Sequence, residues 1–404
     1  MSEPPKPEAP AEEPAKAGIV QAGEIRLSTI ESLRALGALG IFMAHAYALA
    51  TQFDVLSVRS TGGIIAAQGA IGLTLFFSLS GYLFFWPFAR SIFVKRRRLD
   101  IRQYAINRAL RVLPLYVIAV TILMIWIENG GTLENWIRYA TLTTNFDLAS
   151  LTMDTPLWTV PVEIHFYILL PFLAIGFGAI SGGRLWPSVL ILLVMGSFSY
   201  WVLETQTDVV YADALGKSLI ARFYAFVPGM MVALLRVHWT RSGPPQWLRG
   251  PRGRADLWLL AALVLLALNG VNWEYSIINS GLPEELPGMA LLIAAFVVPQ
   301  LAPGLGVRVL TWRPLAALGV VSYSFYVWHR VVLVEVAGHD RWPPVELVAV
   351  ALPITIAVSF VSYKLIEEPF LRLRRGWGGG ADERLGDKPR SGADSTAPAQ
   401  AGGG

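Results

Sequence analysis

Apolar residues in this chain run in long blocks broken by short polar segments, with little of the two- or three-residue alternation of a water-soluble fold. The blocks lie near 30–50, 64–88, 112–128, 157–177, 186–203, 217–236, 255–273, 287–302, 314–334 and 345–366. Each approaches the length a helix needs to cross the hydrocarbon core of a bilayer. The pattern therefore predicts an all-α, polytopic membrane helix bundle of about ten transmembrane helices. Pro161, Pro228 and several glycines interrupt these blocks, which neighbouring helices in a bundle can accommodate.

The segments between the blocks differ in charge. Between blocks two and three lie seven arginines and Lys95, from Arg90 to Arg111; five more arginines lie between Arg236 and Arg254; and Arg372, Arg374 and Arg375 follow the last block. In the alternate segments, 129–156 holds only Arg138, while 204–216 and 274–286 hold no basic residue. Basic loops stay on the cytoplasmic side, so both termini are expected in the cytoplasm, which ten spans permit. The ends are of another kind. Residues 1–23 are rich in Pro, Ala and Glu and 376–404 in Gly, Ala, Asp and Arg, with nothing to bury, so both are expected to lack structure. The membrane domain would be 24–375, and its first helix would itself direct insertion.

Composition agrees with a membrane protein: charged residues make up 15% of the chain, against about a quarter in soluble domains. The absence of cysteine excludes disulfides, thiolate metal sites and cysteine nucleophiles. The five histidines form no HExxH or HxxxH pair, so no metal centre is expected, and no nucleic-acid partner either.

A few polar residues lie inside the apolar blocks, where each is costly and points to function. Arg34 and His45 share the first block. Eleven residues apart, they lie on one helix face about 16 Å from each other. With the orientation above, Arg34 sits near the cytoplasmic end, whereas His45, Glu163 and His329 fall at similar depth in the outer third. Arg108 and Arg111, three apart on one face, join Arg34 in a cationic inner layer. Two such layers suit a long substrate with an anionic head and a reactive far end, and acyl-coenzyme A has this shape. Arginine forks bind phosphate oxygens in pairs, and histidine is basic near neutrality. The bland readings are that Arg34 snorkels to the interface, that Arg108 and Arg111 are ordinary positive-inside residues, and that His45 and His329 only satisfy neighbouring helices.

Six stretches together resemble the acyltransferase-3 family: LRALGALGIFMAHA (33–46), FFSLSGYLF (76–84), NRALRVLPLY (107–116), LWTVPVEIHFYILLP (157–171), VSYSFYVWHRVVL (321–333) and LIEEPF (365–370). Their order and spacing match from about residue 26 to 375. Arg330 departs from the family pattern, which has an aromatic there. The resemblance implies transfer of an acyl group, usually acetyl, from a coenzyme A donor to a hydroxyl, most often of a sugar. It implies catalytic roles for His45 and Glu163, with Glu163 orienting His45; donor binding by Arg34, Arg108 and Arg111; and acceptor or supporting roles for His329, Tyr326, Trp158, Ser80 and Tyr116. Ser80 and Gly81 also suit close helix packing, and Glu367 suits a pairing role near the inner surface. The implied co-substrate is acyl-CoA, with acetyl-CoA foremost; the acceptor is a carbohydrate or glycolipid; and the setting is a bacterial inner membrane. The competing class is a secondary transporter or proton-coupled carrier for a glycan or a small anionic solute, since intramembrane Arg, His and Glu also mark transport paths. Paired Gly/Pro-interrupted segments in corresponding halves, which that class favours, are not seen.

Overall fold

The structure is a computed structural model of the 404-residue chain. It describes residues 14–51, 61–94, 99–126, 132–146, 156–205, 215–248, 250–275, 285–298, 301–302, 304–338, 340 and 342–376, with side chains from Ser28 onward except at 67, 146, 269–275 and 374–376. Among the described residues every regular element is helical, and an isolated bridge between Arg254 and Ala302 is the sole β pairing.

The principal helices are α1 (Pro14–Ala50), α2 (Ile71–Val94), α3 (Ile101–Trp126), α4 (Thr159–Ser181), α5 (Trp186–Glu204), α6 (Val227–Ser242), α7 (Ala255–Tyr275), α8 (Glu285–Val297), α9 (Arg313–Val320), α10 (Ser322–Ala337), α11 (Pro344–Ser362) and α12 (Glu368–Gly376). Among the described residues seven segments are long and apolar enough to cross a membrane, and an eighth is added if α9 and α10, bent by 77° at Val321, count as one. The apolar parts of α7 and α8 are shorter, Ala255–Leu268 and Glu285–Val297. Each of the ten predicted blocks thus has a helix, and among the described residues seven or eight of these pass as spans by length and composition. The ninth block is bent at Val321. Helix α1 begins at Pro14, inside the segment whose composition gives it nothing to bury. The second predicted tail, from 377, and the basic cluster 95–98 lie outside the described residues.

Most of the long helices are apolar on all sides, as suits a bilayer. Ile168, Phe172 and Ile175 of α4 and Leu190, Val194 and Phe198 of α5 stay exposed, while the opposite faces enter the core. With lipid as solvent, helices associate through close packing and buried polar contacts. Helices α2 and α6 show this. Ser78 Oγ donates to the Ala225 carbonyl at 2.6 Å. Gly229 packs so tightly that a Cβ there would overlap the Ser78 carbonyl, and one on Gly81 would overlap the Phe226 carbonyl. Helix α2 is the hub: α1, α4 and α6 all pack on it. The face of α2 that carries Ser78, Gly81 and Tyr82 turns to α6, which leaves Ser80, Leu83 and Phe84 for a cavity on the other side.

Candidate functional site

That cavity lies between α1, α2, α3, α4 and α10. Its walls are largely aromatic and aliphatic: Phe76, Phe77, Leu79 and Leu83 from α2, Val112 from α3, and Tyr323 and Tyr326 from α10. The polar groups that face it are few: Arg34, Ser80, Arg111, Thr159, Glu163, Tyr167 and Ser322. An apolar cleft with a small number of convergent polar groups is the usual form of a small-molecule site.

Helix geometry explains which residues arrive. On α4, Thr159, Glu163 and Tyr167 follow the i, i+4, i+8 row that forms one face and line one wall. Glu163 is held from two sides: Ser80 Oγ donates to its Oε1 at 2.8 Å, and Tyr167 makes a side-chain hydrogen bond to it. Its carboxylate also acts electrostatically on Arg34, which feels Arg111 and Glu367 as well. Glu163 and Arg34 therefore belong to one site rather than to two separate layers.

The two histidines meet. His45 Nδ1 lies 2.8 Å from His329 Nε2, and the rings are stacked 5.1 Å apart, 11° from parallel. His329 is buried, and its Nδ1 lies 2.7 Å from the Tyr326 carbonyl. This chain of contacts assigns the protons. A carbonyl only accepts, so His329 Nδ1 carries hydrogen; the neutral ring then offers a lone pair at Nε2, and His45 Nδ1 must donate to it. His45 Nε2 is left as the lone-pair nitrogen, the form a general base needs. At Nδ1, then, the residue that orients His45 is His329, whereas Glu163 was expected there. Tyr326 joins the dyad to the cavity: its carbonyl holds His329, its ring lies 5.5 Å from the His329 ring, and the same residue lines the cavity wall.

The other predicted residues are dispersed. Arg111 lines the cavity. Arg108, one turn earlier, stacks its guanidinium 4.2 Å from the Phe84 ring centroid, behind the wall. Tyr116 is buried and donates to the Tyr139 carbonyl at 3.0 Å, a packing contact with the short helix Leu133–Ala140. Trp158 accepts Asn145 Nδ2 at its carbonyl and carries Arg222 over its ring at 5.3 Å, just before the cavity residue Thr159. His238 lies exposed on α6, not in a loop. His339 lies outside the described residues.

Sequence reasoning missed several groups. Tyr323 and Ser322 line the cavity, and Tyr323 OH donates to the Val112 carbonyl at 2.9 Å. Their signal was the polar start of VSYSFYVWH directly after an apolar helix. Glu367, by contrast, was expected to pair; it is buried within a π-helical turn, Tyr363–Glu367, where Ser324 Oγ donates to it at 2.5 Å. Arg236 is buried too, donating to Tyr82 OH at 2.5 Å and covering the Trp86 ring at 4.1 Å, on the far side of α2 from the cavity. It had looked like one more positive-inside residue.

The family description "Acyltransferase domain" matches residues 27–364. The "Putative peptidoglycan O-acetyltransferase YrhL" of Bacillus subtilis (strain 168) is 25% identical over 335 residues, which cover 75% of this chain and 51% of that protein. "Nodulation protein 10" of Rhizobium leguminosarum bv. viciae is 24% identical over 374 residues, covering 86% of this chain and 94% of the relative. A "Putative O-acetyltransferase" of Staphylococcus aureus (strain COL) is 24% identical, covering 84% of this chain and 56% of that protein. The chain thus spans about half the length of two of these relatives. No solved structure matches it. With a match that takes in five of the six motifs, LIEEPF (365–370) following directly after it, and every residue lining the cavity, the chain belongs to the acyltransferase-3 family.

Proposed function

We infer that the chain is a membrane O-acyltransferase that moves an acyl group, acetyl foremost, from cytoplasmic acyl-CoA to a sugar hydroxyl. The acceptor would belong to a cell-envelope polysaccharide, a glycolipid or a glycosylated natural product. The family match and the O-acetyltransferase names of two relatives support the reaction class. The observation that carries the reading is the His45–His329–Tyr326 chain of contacts, which leaves Nε2 as the lone-pair nitrogen of His45 and joins the dyad to the cavity residue Tyr326.

In this reading His45 Nε2 takes the proton of the acceptor hydroxyl as its oxygen attacks the thioester carbonyl carbon. The carbon–sulfur bond then breaks, and the coenzyme A thiolate takes the proton back from His45. Imidazolium forming on His45 keeps its Nδ1–H directed at His329. Arg34 and Arg111 face the donor, with Arg108 behind Phe84, while Glu163 fixes the wall through Ser80 and Tyr167. The charge asymmetry of the loops supports a bacterial inner-membrane protein with both termini in the cytoplasm. The test is coenzyme A release by the purified chain in detergent, given acetyl-CoA and a sugar acceptor. Release that requires both substrates and His45 supports the reading; solute movement across proteoliposomes without release would support the carrier class instead.

A further inference from the structure

Helix α10 begins inside the bundle. The 77° bend at Val321 turns the chain there, and Gly319, just before it, packs on the Glu31 backbone so closely that a Cβ would overlap the Glu31 carbonyl. No side chain caps the new helix. Its first backbone bond runs from Phe325 N–H to the Val321 carbonyl at 2.9 Å, so the amides of Ser322, Tyr323 and Ser324 precede the intrahelical ladder. Ser322 is fully buried, lines the cavity, and its Oγ has no hydrogen-bond partner. Tyr323 ties this terminus to α3 at Val112, beside Arg111. The positive end of a sixteen-residue helix, an unpartnered buried hydroxyl and two guanidinium groups thus face one space.

The geometry points to an oxyanion site formed by Ser322, the first amides of α10, Arg34 and Arg111, whose ligand is the diphosphate of the acyl donor. The assignment of the ligand rests on the acyl-CoA reading above. Interrupted membrane helices present such N-termini to anionic groups elsewhere. The placement also suits the donor's polarity. Ser322 and His329 are seven residues apart, on one face of α10 and about 10 Å apart along its axis. A ligand anchored by its phosphates at Ser322 would pass its uncharged arm by Glu163 and reach the dyad with its thioester. A fully anionic ligand would meet the Glu163 carboxylate.

The test measures binding to the purified full chain in detergent by calorimetry, with four probes: coenzyme A, inorganic pyrophosphate, neutral pantetheine and a polyprenyl diphosphate. In the wild type, pyrophosphate should compete with coenzyme A. Ser322→Ala should weaken both about tenfold, the loss of one hydrogen bond to a charged group. Ser322→Asp should abolish both by placing a carboxylate against the phosphates. Pantetheine should bind both variants within about twofold of wild type, which also reports that they fold. The inference is overturned if pyrophosphate does not compete, if either variant binds coenzyme A as the wild type does, or if pantetheine binding falls in parallel. If pyrophosphate and the polyprenyl diphosphate bind through Ser322 while coenzyme A does not, the oxyanion site stands and both its assignment to the donor and the acyl-CoA reading fail. A wild type that binds none of the four overturns the site.

Discussion

At the scale of single residues, the site depends on two imidazoles whose protons are set by a main-chain carbonyl. His45→Ala removes the base, and acyl transfer should fall about 10²- to 10⁴-fold, the usual share of general base catalysis, while the protein still inserts and binds coenzyme A. His329→Ala leaves the base but lets His45 sample both tautomers and other rotamers. Its turnover should fall less, up to about 10²-fold, with the KM for the donor nearly unchanged. Equal turnover of the His45 variant and wild type would remove the dyad from the mechanism. The two paired arginines should now separate. Arg111 faces the cavity, so Arg111→Ala should weaken donor binding by about 1.5–3 kcal/mol, and Lys there should rescue only part of it. Arg108 rests on Phe84, and its removal should cost about 0.5–1 kcal/mol, in the range of a cation–π contact. Donor titrations of the two variants, run beside acceptor titrations, check the difference.

At the scale of elements, α2 has two faces with separate tasks, and a single motif supplies both. Ser78 and Gly81 let α6 approach, while Ser80, between them in sequence, points to Glu163. Gly229→Ala should therefore destabilise the bundle by about 1–3 kcal/mol through overpacking of the α2–α6 contact. Thermal unfolding in detergent would read this as a lower midpoint. Ser80→Ala should leave the midpoint near wild type and act on turnover, because it frees one oxygen of Glu163. If the two variants exchange these effects, the division of faces is wrong.

At the scale of the whole molecule, the proposed reaction has its donor enter from the cytoplasm, which sets the expected sides of the loops. Single cysteines after Ala149 and Leu282, which fall outside the described residues, should label from outside the cell, and one at Pro244 only after permeabilisation. The native chain has no cysteine to interfere. Outer labelling at Pro244 would place the arginine end of the cavity on the wrong side for a cytoplasmic donor.

Hydrophobic blocks, basic loops and six spaced motifs were legible before any fold, because lipid imposes length and polarity on each helix separately. The same local rules picked out Arg34, His45, Arg111, Glu163 and His329 as polar groups inside apolar helices. Local rules do not encode partners. That His45 meets His329 across 284 positions of sequence, and that Glu163 turns to Ser80 and Tyr167, depend on how α1, α2, α4 and α10 rotate against one another. Helix rotation is set by small-residue contacts such as Gly229 on Ser78, which read in sequence as ordinary glycines. The break at Val321 was hidden for a like reason: an apolar run has the same composition whether it is straight or bent. The tertiary structure packs Gly319 on the Glu31 backbone at the bend and brings Ser322, at the start of α10, to the cavity that Arg34 and Arg111 line.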